Sequence, residues 1–136
     1  MKKLFERVFR AGKEKGSENI ETLYFSSSGQ CPTCDQEVAF TAREAYLREH
    51  LICSNCGSLP RERALMVTID KFCPRWRDSI IHETSPAARG ASIKLGNECN
   101  HYIPSRFFED QAPGTIVNKM RCENLEALSF DDESIE

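Results

Sequence analysis

Cys31-Pro32-Thr33-Cys34 and, eighteen residues further on, Cys53-Ser54-Asn55-Cys56-Gly57 form the stretch on which the reading of this chain turns. Each Cys-x-x-Cys hook presents two sulfurs on a tight turn, and two hooks at this separation suit one tetrahedral ion held by four thiolates, zinc above all. Pro32 restrains the first turn, Gly57 supplies free backbone just past the second, and Asn55 suits a left-handed conformation inside it. The competing readings are two unrelated reduced pairs or a redox hook, although redox chemistry needs only one pair. His50, close to the second hook, would be a fifth and redundant ligand. An ion with four thiolates has no open coordination position, so Cys31, Cys34, Cys53 and Cys56 would hold a structural metal. Any activity has to be sought elsewhere in the chain.

The 136 residues give room for one ordinary domain, or for a small module joined to part of another. A net charge of -3 argues against a nucleic-acid surface along the whole length. Of the seven cysteines, Cys73, Cys99 and Cys122 are left over and scattered, which implies a reducing compartment. No apolar run approaches the length of a membrane span, and charge breaks up Met1-Lys2-Lys3-Leu4-Phe5-Glu6 before any secretory apolar core. The expected location is the cytoplasm.

On the N-terminal side of the hooks, Met1 to Lys15 is basic, and Leu4, Phe5, Val8 and Phe9 share a helical face. Such a segment reads as a solvated arm, or as a short amphipathic helix for a membrane surface, a nucleic acid or a protein. Ser26-Ser27-Ser28-Gly29 has the composition of a linker, so residues 1–29 are expected outside the folded unit. Between the hooks, Glu37-Val38-Ala39-Phe40 reads as a short strand and Thr41-Ala42-Arg43-Glu44 as a helix capping box.

On the C-terminal side, Leu59 to Phe72 reads as a helix with proline in its first turn and Leu65, Ile69 and Phe72 facing a core. Arg61 and Arg63 read as solvated charges. Pro74 stops the helix. Ser79-Ile80-Ile81-His82, His101-Tyr102-Ile103-Pro104 and Thr115-Ile116-Val117-Asn118 then read as three strands, separated by Glu83 to Gly90, the segment Ser92-Ile93-Lys94-Leu95, and a turn at Gln111-Ala112-Pro113-Gly114. Short strands alternating with connections predict the opening of an α/β domain with a parallel sheet. From Glu123 to Glu136 there are six acidic residues and no basic one, yet Leu125, Leu128, Phe130 and Ile135 distinguish this stretch from a purely solvating tail.

Cys53-Ser54-Asn55-Cys56-Gly57-Ser58-Leu59-Pro60-Arg61-Glu62-Arg63, followed much later by Asn124-Leu125-Glu126-Ala127-Leu128-Ser129-Phe130-Asp131-Asp132-Glu133-Ser134-Ile135-Glu136, resembles bacterial class I S-adenosylmethionine-dependent methyltransferases with an N-terminal zinc ribbon. The resemblance covers about Cys31 to Glu136. It implies an α/β chain in which a small zinc ribbon precedes the first half of a Rossmann-like methyltransferase sheet. The divisions are a basic arm and Ser-rich linker (1–29), the zinc ribbon (30–60), a linker helix (61–77) and a partial methyltransferase domain (78–136). For the cofactor, S-adenosylmethionine, it implies Glu83 as the acid closing the first motif, with Ser85 and Ala87 where glycines are usual. Glu123 and Asn124 stand at the third motif, where Asn124 offers an oxygen to the adenine amino group. Arg106 stands where a second acid usually holds the ribose. Glu136 would stand just before the fourth strand, so a truncated chain, inactive as given, is expected.

The expected function is therefore the N-terminal portion of a methyltransferase with an unknown acceptor, acting by holding donor and acceptor in line and with no recognisable catalytic residue. The rival is a non-enzymatic zinc-ribbon module that binds nucleic acid or a protein partner. Against nucleic acid, Asp35, Glu37, Glu44 and Glu49 accompany Arg43 and Arg48, with no interleaving of basic and aromatic positions.

Overall fold

A computed structural model describes residues 22–135, which form a mixed α/β architecture with two sheets. The basic segment Met1 to Lys15 and Glu136 lie outside the described residues. The first sheet is antiparallel: β1 (Phe25–Cys31) and β2 (Gln36–Ala42) pair from Phe25↔Ala42 to Cys31↔Gln36, and β3 (Ile52–Cys53) joins β2 through Phe40↔Cys53.

Two expectations fail here. Ser26 to Gly29 is strand rather than linker, because backbone pairing with β2 asks nothing of the side chains, and the serines face solvent. Thr41 and Ala42 are held in the β2 ladder, so no helix starts there; the first helical turn, α1, is Leu47–His50.

Helix α2 (Pro60–Phe72) begins with proline at its first position, while the Glu62 carboxylate accepts the Leu59 N–H at 3.0 Å. Its inward face differs from the one expected. Met66 is fully buried and Arg63 buried beside it, Ile69 is partly covered, whereas Leu65 and Phe72 are 46 % and 70 % exposed. The face is set by what packs against the helix. Trp76, returning after the Pro74 stop, covers Met66 and donates its Nε1–H to Asp70 Oδ1 at 2.7 Å.

In the second sheet, β4 (Ile80–Thr84) leads through α3 (Gly90–Glu98) to β5 (His101–Arg106), parallel to β4 from Ile80↔His101 to Thr84↔Ser105. The segment around Ser92 to Leu95 is the middle of that helix. The third expected strand is only partly right. Ile116 and Val117 form a short β6 (Ile116–Val117), but it runs antiparallel to β7 (Met120–Cys122), and β7 is the strand that lies parallel to β5. Asn118 and Lys119 both have positive φ, 50° and 66°, the signature of the mirror-image two-residue turn that joins twisted antiparallel strands. The order is β4-β5-β7-β6, which leaves β4 at one edge among the described residues, and the connection from β5 to β7 contains no helix.

The core joins these parts. Met66, Trp76, Ala91, Leu95 and Cys99 are buried together, with Ile69, Ile81 and Tyr102 against them, so α2 and α3 cover one face of β4 and β5. On the other face His82 meets the Phe130 ring at 4.8 Å between centroids, and the Arg121 guanidinium lies 4.6 Å over that ring. Phe130 thus anchors the acidic stretch, while Leu125 and Leu128 remain exposed. Among the described residues no helix is long and apolar enough to cross a membrane.

Candidate functional site

The four hook cysteines come together as a cluster that could hold a metal ion. The first hook is itself the turn of the β1–β2 hairpin, and the second follows β3, whose Phe40↔Cys53 pairing brings it alongside. The two turns repeat one device. Asp35, just after the first hook, has φ 58° and donates its N–H to Cys31 O at 2.8 Å; Gly57, just after the second, has φ 69° and donates to Cys53 O at 3.0 Å. The left-handed positions are therefore Asp35 and Gly57, and Asn55, expected to be one, is not. Glycine and aspartate are among the residues that reach this region most readily.

All four Sγ atoms lie within 4.8 Å of one another, and Cys31–Cys56 and Cys34–Cys53 are each 3.9 Å apart. A zinc–sulfur distance of ~2.3 Å gives tetrahedral edges of ~3.8 Å, so the spacing suits that ion. The electrostatics agree. At Cys31 burial pushes the thiol up, but Ser58 Oγ at 3.5 Å and the backbone N–H groups of Cys34 and Thr33 outweigh it and bring the pKa to about 6. At Cys56 burial, reinforced by the neighbouring Cys53 and Cys34, pushes the thiol up to about 12. Without a cation the second negative charge is resisted by the first, and a divalent ion removes that resistance. His50 turns away, its Nε2 3.4 Å from Glu44 Oε2.

Arg63, expected as a solvated charge, props the second turn from below. Its Nη1 donates to Ser58 O, its Nη2 donates to Leu51 O at 3.0 Å, and its guanidinium lies 4.6 Å over the Phe40 ring. Arg61 does face solvent, paired with Glu49.

The second candidate site is the carboxyl end of the parallel strands, where ligands of open α/β sheets are commonly bound. Glu83, Ser85 and Ala87 gather at the end of β4. Glu83 Oε1 accepts from Ser92 Oγ at 2.6 Å, and its Oε2 accepts from Tyr102 Oη at 2.6 Å; the same Ser92 Oγ accepts the Ala87 N–H at 3.0 Å. Two of the four acceptor positions of the carboxylate are thereby used. Burial, reinforced by Glu83, pushes the Tyr102 hydroxyl well above its ordinary value, which keeps it a donor. Ser85 has φ 50° and donates its N–H to Ser105 O at 2.7 Å.

Glu123 and Asn124 are placed apart from that group, at the end of β7, two strands away. Glu123 is buried and spent on its own loop: Oε1 accepts from Arg121 Nε at 2.5 Å and Ser129 Oγ at 2.6 Å, and Oε2 accepts the Ser129 N–H at 2.8 Å. Asn124 Oδ1 accepts the Glu126 N–H at 3.1 Å in a local turn. Arg106 ends β5 with its side chain exposed.

Sequence reasoning missed Ser92, Tyr102 and the pair His82 Nε2 and Ser105 Oγ, 2.7 Å apart. Burial, aided by Arg121, lowers the His82 pKa against the pull of Glu123. Position gives a signal for Ser105, near the end of β5, and for Ser92, in the helix that crosses it; His82, in the middle of β4, and Tyr102, second in β5, carry none. No protein-family model, curated protein or solved structure matches the chain.

Proposed function

We propose that the chain is a zinc-stabilised portion of a class I S-adenosylmethionine-dependent methyltransferase, with the four cysteines as a structural zinc ribbon and the end of β4 as part of the cofactor surface. The observation that carries this reading is the unit β4–loop–α3–β5. Two parallel strands are joined by a helix, with an acid at the end of the first and a loop of small residues between it and a glycine-started helix. That is the geometry in which backbone approaches a ligand closely. Glu83 keeps acceptor capacity for the cofactor's polar groups, and Ser85 and Ala87 leave the loop uncrowded. Glu123 is better suited to holding the 123–129 loop, from which Asn124 would meet the adenine.

In this reading β4 is an interior strand of the whole sheet, and the described residues pair it on one side only. They supply one wall of the cofactor site. Calorimetric titration of the 136-residue chain with S-adenosylmethionine is the test, alongside zinc analysis of protein purified under reducing conditions. Binding is expected to be weaker than about 1 mM, equivalent to less than about 4 kcal/mol, because most of the ligand would stay in water. Micromolar binding would show one wall to be sufficient, and a zinc content near zero would remove the ribbon from the proposal.

A second reading is a non-enzymatic zinc module that docks on a protein. It is favoured by the apolar residues that the first sheet and its surroundings leave in solvent: Tyr24 and Tyr46 are 61 % and 57 % exposed, Ile52 44 % and Phe25 40 %. Tyr24→Ser and Tyr46→Ser would abolish partner capture under this reading and leave cofactor titration by a longer form of the chain unchanged.

A further inference from the structure

We propose that the four-cysteine cluster positions the loop between β4 and α3, so that metal occupancy sets the conformation of residues 84–90. The inference rests on the metal half of the reading above and is independent of methyl transfer.

Helix α3 stands between the cluster and the loop and touches both. At Gly90 and Lys94, one turn apart, it faces the cysteine turns: the Gly90 N–H donates to Cys56 O at 3.0 Å, and Lys94 Nζ donates to Asp35 Oδ2 at 2.5 Å. At Ser92, on the other side of the helix, it holds Glu83 and the Ala87 N–H. Ala91 and Leu95 are sunk in the core between these two faces. A displacement of the helix start on one side is therefore transmitted to the other.

Both contacts on the cluster side are made to residues of the cysteine turns, one to the Cys56 carbonyl and one to the Asp35 carboxylate. Asp35 and Cys56 are the residues next to, or at, the left-handed corner of each turn, and one N–H to carbonyl bond closes each corner. Metal-binding energy is what holds such short turns in place, since binding and folding are one equilibrium there. The fit is close. A Cβ on Gly90 would fall 3.1 Å from Ser58 Cα and 2.3 Å from Glu62 Oε2, and Gly90 has φ 53°, so only glycine lets the helix start this near the second turn. Arg89 Nη2, at 3.2 Å from Glu62 Oε1, ties the last loop residue to α2 as well. The Lys94 side chain is only 5 % exposed. Burial alone would lower its pKa, but Asp35 and Glu98 outweigh this and raise it, so the ammonium persists and needs those carboxylates.

The Ala87 and Gly90 amides, both hydrogen-bonded, report directly on the loop. Their hydrogen exchange would be measured by NMR on the zinc-loaded 136-residue chain, on the same chain after a high-affinity zinc chelator, and on zinc-loaded Asp35→Asn. Asparagine keeps the left-handed corner and the size while removing the charge that Lys94 uses. Chelation is expected to speed exchange at Ala87 and Gly90 by tenfold or more, about 1.4 kcal/mol of local opening, while amides of β5 and β7 keep their protection. Asp35→Asn is expected to retain one zinc per chain and to speed the same two amides severalfold. Unchanged exchange at both amides after chelation would overturn the proposal. So would loss of protection in β5 and β7 together with the loop, which would make the metal a global stabiliser. Unchanged exchange in Asp35→Asn would overturn the part played by Lys94. Protein that never holds zinc would defeat the metal reading itself, a result read from metal content and distinct from the exchange outcomes.

Discussion

The two sheets of this molecule are held together by different physics. In the first, the buried apolar residues are Cys31, Ala42 and Cys53, while Tyr24, Phe25 and Ile52 lie in solvent. So little buried apolar surface does not offset the entropy of ordering three strands, and under the proposed reading a metal on the sulfur cluster supplies the difference. In the second, Met66, Trp76 and Leu95 fill a space between two helices and a parallel pair, as an ordinary core does. Each region should therefore feel a different perturbation. The first should answer to metal and to thiol chemistry, the second to volume.

Cys53→Ser should have the largest effect and confine it to the first sheet. Structural zinc sites of this kind contribute about 10–16 kcal/mol of apparent binding energy, all of it folding energy for the sheet that carries the ligands. Zinc content should fall to near zero and the NMR dispersion of residues 25–53 should collapse, while Trp76 fluorescence stays that of a buried indole. Simultaneous loss of the Trp76 signal would mean that the regions are one cooperative unit.

Trp76→Ala is the converse, with an expected cost of about 3–5 kcal/mol in chemical denaturation because a large cavity opens beside Met66. Zinc stoichiometry should not change. A variant that also loses zinc would place the first sheet's stability in the core.

Arg63→Met tests both regions at once, because that residue belongs to the helix of one and serves the backbone of the other. It keeps the apolar stem and removes the donor to Leu51 O, at about 1–3 kcal/mol, while Ser58 O loses one of two donors and keeps the Cys53 N–H at 3.1 Å. Zinc should be released at lower denaturant concentration than in the parent protein. An unaltered midpoint would reduce Arg63 to packing.

The smallest effect expected is acid sensitivity at Glu123. Burial would raise its pKa, but the Ser129 hydroxyl and N–H and the Arg121 guanidinium outweigh burial and hold the carboxyl below its ordinary value. A lowered folded-state pKa gives stability that is fully present above the unfolded value of about 4.3 and is lost as pH falls through the lower folded value. Denaturation midpoints between pH 5 and pH 2 should therefore drop more steeply in the parent than in Glu123→Gln. Identical slopes would show that the bonds to Ser129 do not favour the charged form.

The four-cysteine cluster was legible because each Cys-x-x-Cys hook is local in sequence and holds its two sulfurs on one turn, so only the pairing of β2 with β3 was needed to bring the two turns together. The helix from Pro60 and the strands at Ile80 and His101 were legible from proline position and apolar runs. Ser26 to Gly29 misled because a strand whose side chains all face solvent has the composition of a linker. Leu65 and Phe72 misled because a helix with apolar residues on more than one side takes its buried face from its neighbours, and here Trp76 chose Met66. The β6–β7 hairpin was hidden because Asn118-Lys119 lacks the usual glycine.

The chain's own order of residues thus determined where sulfur could converge, where α2 begins and stops, and that short strands follow it. Those are consequences of covalent geometry and of contacts between residues a few positions apart. Only the tertiary structure decided that Arg63 props the second cysteine turn, that Glu83 meets Ser92 and Tyr102, and that Lys94 is held by Asp35, fifty-nine residues earlier. Charged and polar side chains carry no local mark of burial. Whether each faces water or a partner is settled when separate elements pack, because desolvation penalises every buried charge that the fold does not pair.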